Sequence, residues 1–171
     1  QTLPIYSDDF NKRNSIDYAK YYSPNENAIL SFKFLAQTIN SVAGEDVRIS
    51  KRLFLPSKRL KGFEYGKVGP KDGTDFIGGN YATAINFATT LPGLFSDLEN
   101  IDFSFFIDAG NVWGIDYNDA LDGNSKLRSS TGLAVDWLTP IGPLSFSFAQ
   151  PITKASSDKT ETFRFDIGTT F

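Results

Sequence analysis

The side chains able to do chemistry in this 171-residue chain are confined to Ser, Thr, Tyr, Lys, Arg, Asp and Glu, because it contains neither His nor Cys. Without His there is no group titrating near neutrality to act as general base and no imidazole metal ligand. Without Cys there is no thiolate site and no disulfide. Nucleophilic catalysis would need Ser activated by Lys or Asp, and no Gly-x-Ser-x-Gly elbow is present. The glycine-bearing runs 66–69 and 73–79 lack the strand-loop-helix setting and the Gly-Lys-Ser/Thr ending of a phosphate loop, and read as flexible loop. The acidic stretch 116–122, followed by Gly123, lacks the regular ligand spacing of a calcium loop. The sequence therefore predicts no metal, no cofactor and no conventional catalytic centre.

Charge excludes a further class. The formal net charge is −3, with no basic footprint of the kind a nucleic-acid binder needs. The clusters Lys51-Arg52 and Lys58-Arg59-Lys61 read as solvated rim. No run approaches the roughly 20 apolar residues of a membrane helix, but a β-barrel hides its apolar face in alternation. The chain opens at Gln1 and has no Met, charged leader or cleavable apolar stretch, which predicts a cut inside a longer polypeptide.

The elements that would position any site are strands. Sixteen Phe, seven Tyr and two Trp among fourteen Gly favour strands and turns over helices. Period-two alternation is clear at 81–89, 101–110, 127–138, 144–152 and 163–171, and weaker at 14–22, 28–42 and 46–55; a truncated strand is placed at 2–6. Turns at 8–13, 43–46, 91–99 and 139–143 fall at one end of the sheet. The connections 23–27, 57–78, 114–125 and 153–160 fall at the other, which holds the long loops. Short turns on one side and long loops on the other characterise outer-membrane barrels. One face of these strands is oily. The other mixes small residues with Asp102, Asp108, Arg128, Asp136, Arg164 and Asp166. Patterning alone fits two classes: a membrane barrel with its oily face to lipid, or a soluble sandwich with that face inward.

Four segments in order narrow the choice: Leu60-Lys61-Gly62-Phe63; Phe106-Ile107-Asp108-Ala109-Gly110 with Val112-Trp113; the stretch 139–151; and the closing stretch 163–171. From about residue 10 onward the chain resembles the carboxy-terminal part of the BamA family of outer-membrane β-barrel assembly proteins. The resemblance implies an all-β fold, an antiparallel transmembrane β-barrel. Residues 1–171 would supply about eight complete strands of a sixteen-stranded barrel plus a remnant, with the periplasmic POTRA domains and first strands absent. It places the chain in the bacterial outer membrane. It implies outer-membrane lipids, unfolded β-barrel clients and assembly-complex lipoproteins as partners, no nucleic acid, and non-enzymatic insertion of clients through a lateral seam by strand pairing, without ATP. A TamA-like or two-partner secretion transporter barrel and a passive porin-like barrel are the alternatives.

The resemblance also assigns residues. Loop 57–78 corresponds to the family's sixth outer loop, which folds into the lumen with an Arg-Gly-Phe or Arg-Gly-Tyr tip. Here Lys61, Gly62 and Phe63 take those places, and Asp108 within the Phe106, Asp108, Gly110 motif is the acceptor. Lys in place of Arg loses the planar fork, and Arg59 is the other cation in reach. Phe163, Phe165, Ile167, Gly168 and Phe171 form the terminal-strand assembly signal and one side of the seam. The same residues also read as lipid-facing side chains with an interfacial aromatic belt.

Overall fold

The computed structural model describes residues 11–42, 46–94, 100–116, 126–140 and 142–168. Seven of its strands form one antiparallel sheet: β1 (Asn11–Asn25), β2 (Ala28–Ser41), β5 (Tyr81–Pro92), β6 (Ile101–Trp113), β7 (Arg128–Thr139), β8 (Gly142–Thr153) and β9 (Phe163–Ile167), hydrogen-bonded in that order. A short hairpin, β3 (Lys71–Asp72) with β4 (Asp75–Phe76), lies within the long connection between β2 and β5. Each neighbouring pair in the sheet is joined by the chain that links it, so the topology is a meander. The β2–β5 step differs only in carrying the long loop. Among the described residues β1 and β9 are the sheet edges and do not pair with each other, so this segment leaves the barrel open.

Register decides which side chains share a face. Asn86, Asp108 and Ser130 are successive partners across β5, β6 and β7, and Lys33 on β2 is opposite Asn86. One residue over, Phe32, Phe87 and Ile107 share the other face, opposite Thr131. Burial is inverted relative to a water-soluble sheet. Asp108, Arg128 and Ser130 are fully buried, whereas Phe105, Ile107, Phe148 and Ile167 are 56%, 55%, 54% and 68% exposed. An oily face this exposed along every strand has lipid as its solvent, since no aqueous monomer leaves so continuous a patch bare. Cross-strand ring pairs Phe32–Phe87, Phe146–Phe165 and Phe148–Phe163, each with centroids 4.9 Å apart, line that face. The soluble-sandwich alternative, which needs these rings packed inward, does not describe the molecule.

The concave face is filled by the β2–β5 connection. Leu53, Leu55, Leu60, Phe63 and Val68 from the loop bury against Leu35, Ile39, Ala82, Ala84 and Val112 of the sheet. Arg59 touches Asp17 on β1, and Gly62 lies against Ala149 on β8. Those strands are five spacings apart, about 24 Å measured around the sheet, yet Arg59 and Gly62 are separated by at most about 11 Å of chain. With the Arg59 and Asp17 side chains completing the span, this four-residue stretch reaches from β1 to β8, and the sheet's concave side faces the loop.

The segment 46–55, expected as a strand, is not one. Residues Ile49–Lys51 form a 3-10 turn and Leu53 makes a single bridge to Gly79. Val47, Leu53 and Leu55 bury inward beside the outward Arg48 and Ser50, but Ile49 and Lys51 are exposed and Arg52 is buried, and Leu53 alone of the three makes a bridge, so the segment packs on the wall without being a strand. The run 73–79, expected as flexible loop, contains β4 and the bridge partner Gly79. The connection 23–27 is a tight turn at the end of β1, with Ser23 Oγ donating to the carbonyls of Asn25 and Ala28. Strand β9 stops at Ile167, earlier than the alternation through Phe171 suggested. The proposed strand at 2–6 and the acidic stretch after Asp116 lie outside the described residues.

Candidate functional site

The loop tip sits on the lumen wall at the level of Asp108. A second 3-10 turn, Ser57–Arg59, delivers residues 60–63 across β6 and β7. Lys61 Nζ lies 2.9 Å from Asp108 Oδ2, and the Lys61 backbone N–H donates to the same oxygen at 3.1 Å. The other carboxylate oxygen accepts from Asn86 Nδ2 at 2.7 Å. Asp108 is wholly buried, while the Lys61 side chain keeps 20% exposure. The ammonium also sits 4.1 Å from the centroid of the Phe106 ring, a cation–π contact that a compact ammonium can make without the guanidinium plane. Ser130 Oγ donates to the Lys61 carbonyl at 2.5 Å. Of the two cations in reach, Lys61 takes Asp108. Arg59 pairs with Asp17 at 2.5 Å and Asn86 Oδ1 at 3.4 Å, and its carbonyl accepts from Asn86 Nδ2.

Gly62 is required twice over at this spot. Its φ is +89°, and a Cβ there would lie 3.1 Å from Ala149 Cβ and 3.2 Å from Ser130 Cβ. Gly132 on the wall does related work: a Cβ there would approach Phe148 O at 2.0 Å and Phe106 Cζ at 2.7 Å. The bare backbone thus leaves room for the Phe106 ring under Lys61. Gly110 likewise admits Leu55, whose Cδ1 lies 2.9 Å from where its Cβ would be.

Phe63 is buried and bridges to Thr160 in the connection between β8 and β9. That connection clasps the tip with backbone bonds: Glu161 N–H to Gly62 O, Glu64 N–H to Lys159 O and Lys159 N–H to Lys67 O. Its own anchor is Asp158, which accepts from Arg128 Nε at 2.9 Å and Nη2 at 3.0 Å, with both side chains fully buried. Arg128 Nη1 also donates to Asn111 Oδ1 and to the Lys126 carbonyl. The Ala155 N–H donates to Asp158 Oδ2. A third pair, Arg52 with Asp116 at 2.6 Å, ties residues 46–55 to the end of β6. Burial pushes the Asp116 carboxyl up, but the Val47 N–H, the Asn80 amide and the Arg52 guanidinium outweigh it and hold the group below its ordinary value.

The residues of the terminal strand lie elsewhere. Phe163, Phe165 and Ile167 face outward, well away from the Lys61–Asp108 pair, and Arg164 on the inner face bonds Glu161 and Asp166. Gly168 follows β9 with φ +138° and donates its N–H to Pro143 O. Phe171 lies outside the described residues.

The sequence matches the Omp85 superfamily domain over residues 1–171. The chain belongs to the Omp85 superfamily. It is 34% identical over 140 residues to the outer membrane protein assembly factor BamA of Neisseria meningitidis serogroup B, covering 66% of this chain and 17% of that protein. It is 28% identical over 149 residues to the BamA of Neorickettsia risticii, covering 85% of this chain and 20% of that protein. Among solved structures it superposes on the crystal structure of BamA from Haemophilus ducreyi lacking POTRA domains 1–3, with a TM-score of 0.83 and 29% identity, over 95% of this chain and 35% of that one. The chain thus spans about a fifth of the length of the curated relatives it matches. This Omp85 segment is part of an outer-membrane β-barrel similar to that of BamA.

Several residues of the Omp85 site carry no signal of spacing. Asn86 is the polar member of an otherwise alanine-rich face, Ala82, Ala84 and Ala88, and that contrast was its only mark. Ser130, Arg128 and Asp158 belong to no short motif; Arg128 was visible only as one charge among several on the inner face.

Proposed function

We propose that this segment is the carboxy-terminal portion of an outer-membrane assembly barrel, which folds and inserts β-barrel clients without ATP. The observation that carries the reading is the Lys61-Gly62-Phe63 tip seated against Asp108 on the lumen wall of an Omp85 chain. In this reading a passive porin-like barrel would lack such a latch. In this reading the pair is a latch that sets the loop across the barrel, and β9, with Phe163, Phe165, Ile167, Gly168 and Phe171, is one side of a lateral seam. An unpaired strand edge templates another strand, and client strands would enter lipid there by pairing their backbone groups as they bury apolar surface. Gly168, with no side chain to pack and a positive φ after only five ladder residues, leaves β9 short and weakly held. The remaining strands, periplasmic domains and partner lipoproteins belong to the rest of such a protein.

The test is reconstitution of the full-length protein in lipid vesicles with an unfolded outer-membrane client and no nucleotide. The reading expects client folding to be accelerated over empty vesicles, and slowed by Asp108→Ala at equal barrel content. Vesicles that conduct small solutes but leave client folding at the empty-vesicle rate would identify a porin-like barrel instead.

A further inference from the structure

The tip of the β2–β5 loop and the terminal strand β9 are far apart in sequence, yet one short segment touches both. Residues 154–162 join β8 to β9. Near its centre Asp158 is fixed by the bidentate, fully buried Arg128. Directly after it Lys159, Thr160 and Glu161 clasp Lys67, Phe63 and Gly62 by backbone contacts. At its far end Thr162 O accepts from Ala149 N–H, and Arg164, the second residue of β9, bonds Glu161. Four residues of chain, 159–162, therefore separate a buried anchor from the first ladder pair of β9, Phe163 with Phe148.

We propose that this segment is a coupling strap: Arg128 and Asp158 are positioning residues that hold it so that seating of the loop tip and pairing of β9 stabilise one another. The role for the seam rests on the assembly reading above; the coupling itself does not. Three physical features require it. The Asp158 side chain has no exposure, and among the described residues its charge is compensated only by Arg128 and by the N–H of Ala155; removing either member of the Arg128–Asp158 pair leaves an unpaired buried charge and frees the strap. The tip's backbone carbonyl at Gly62 has its strap partner in Glu161, so a displaced strap strips the tip of its outer contacts while leaving the Lys61–Asp108 pair alone. Strand β9 has only five ladder residues, pairs on one side among the described residues, and begins directly where the strap ends. A short edge strand of this kind opens at low cost.

Hydrogen exchange of the full-length barrel in lipid nanodiscs, without client, tests the coupling. Asp158→Asn is expected to speed amide exchange at least about tenfold at both the tip, residues 62–64, and the start of β9, residues 163–165, while β5 is unchanged. Faster exchange confined to 154–160 would overturn the proposal. A second variant does not depend on an unpaired charge. Phe63 and Thr160 are bridge partners in a chain without Cys, at a spacing that accepts a disulfide. Oxidising the Phe63→Cys, Thr160→Cys variant is expected to slow β9 exchange, reversibly with reductant; no change in β9 would also overturn the coupling. Coupling seen in exchange together with unaltered client folding would support the strap and count against the assembly reading.

Discussion

Replacing Lys61 by Met isolates what the buried pair contributes. Met is close to Lys in volume and keeps the apolar contact with Phe106, so the change removes the charge and little else. The carboxylate of Asp108 is left fully buried, with the Lys61 N–H at 3.1 Å and Asn86 Nδ2 at 2.7 Å as its remaining donors. Breaking a buried pair by removing one partner costs about 3–5 kcal/mol. Two donors still solvate this anion, and the Lys61 side chain was 20% exposed to begin with, which brings the expectation to about 2–3 kcal/mol. Local opening of the tip should then be roughly 30- to 150-fold more frequent. Hydrogen exchange of residues 57–67 in the full-length barrel reads this directly. Lys61→Arg should stay within about 1 kcal/mol of the parent, because a guanidinium serves both the carboxylate and the Phe106 ring. Exchange in Lys61→Met within threefold of the parent would refute the reasoning: the amide donors alone would then satisfy Asp108.

Other consequences follow from the same contacts. Gly62→Ala combines a φ of +89° with a Cβ 3.1 Å from Ala149; about 1–3 kcal/mol of tip docking should be lost, visible as protease cleavage within 57–67 that the parent resists. Gly132→Ala has no room beneath Phe148 O and the Phe106 ring; it should displace Phe106 and weaken the β7–β8 ladder, read as a lowered unfolding temperature of the barrel. The Asp116 carboxyl, held below 3.8 in the folded state, binds protons more weakly than in the unfolded chain. Its contribution is therefore complete above the unfolded value and is lost as pH falls through the lower folded value. Exchange at the Val47 N–H should rise as pH drops below about 4 after correction for intrinsic rates, and Asp116→Asn should abolish that dependence.

The fold was legible wherever strands carry a lipid face. From β5 to β9 the alternation is enforced by two different solvents, so polar and apolar residues largely segregate along each strand, with Phe106 an apolar member of the inner face and Thr131 a polar member of the outer one. The same rule failed at 46–55, because a loop laid on a wall also buries apolar side chains at same-parity positions, here Val47, Leu53 and Leu55, although Ile49 between them is exposed and Arg52 is buried. A strand needs ladder partners, and those are set by topology. The site was legible only in part. Lys61 and Asp108 are 47 residues apart and Arg128 and Asp158 are 30 apart, and no local period links either pair. What distinguishes Lys61 from Arg59 is the direction in which the 3-10 turn at Ser57–Arg59 releases the chain, which no composition or pattern encodes. The charges were visible on the inner face; which of them meet was decided by register.

The central claim is that the oily face meets lipid and the charged face lines the interior. The absence of Cys from this chain permits nitroxide labels to be placed singly from 103 to 108 on β6 in the lipid-embedded barrel. Relaxation by oxygen, which concentrates in lipid, should then alternate with period two, and a water-soluble nickel chelate serves as the control for water access. Labels at Phe103, Phe105 and Ile107 should be open to oxygen and closed to nickel, and those at Ser104, Phe106 and Asp108 should lack the oxygen signal. Nickel access at 105 and 107, or shielding of both positions from either reagent, would contradict the account.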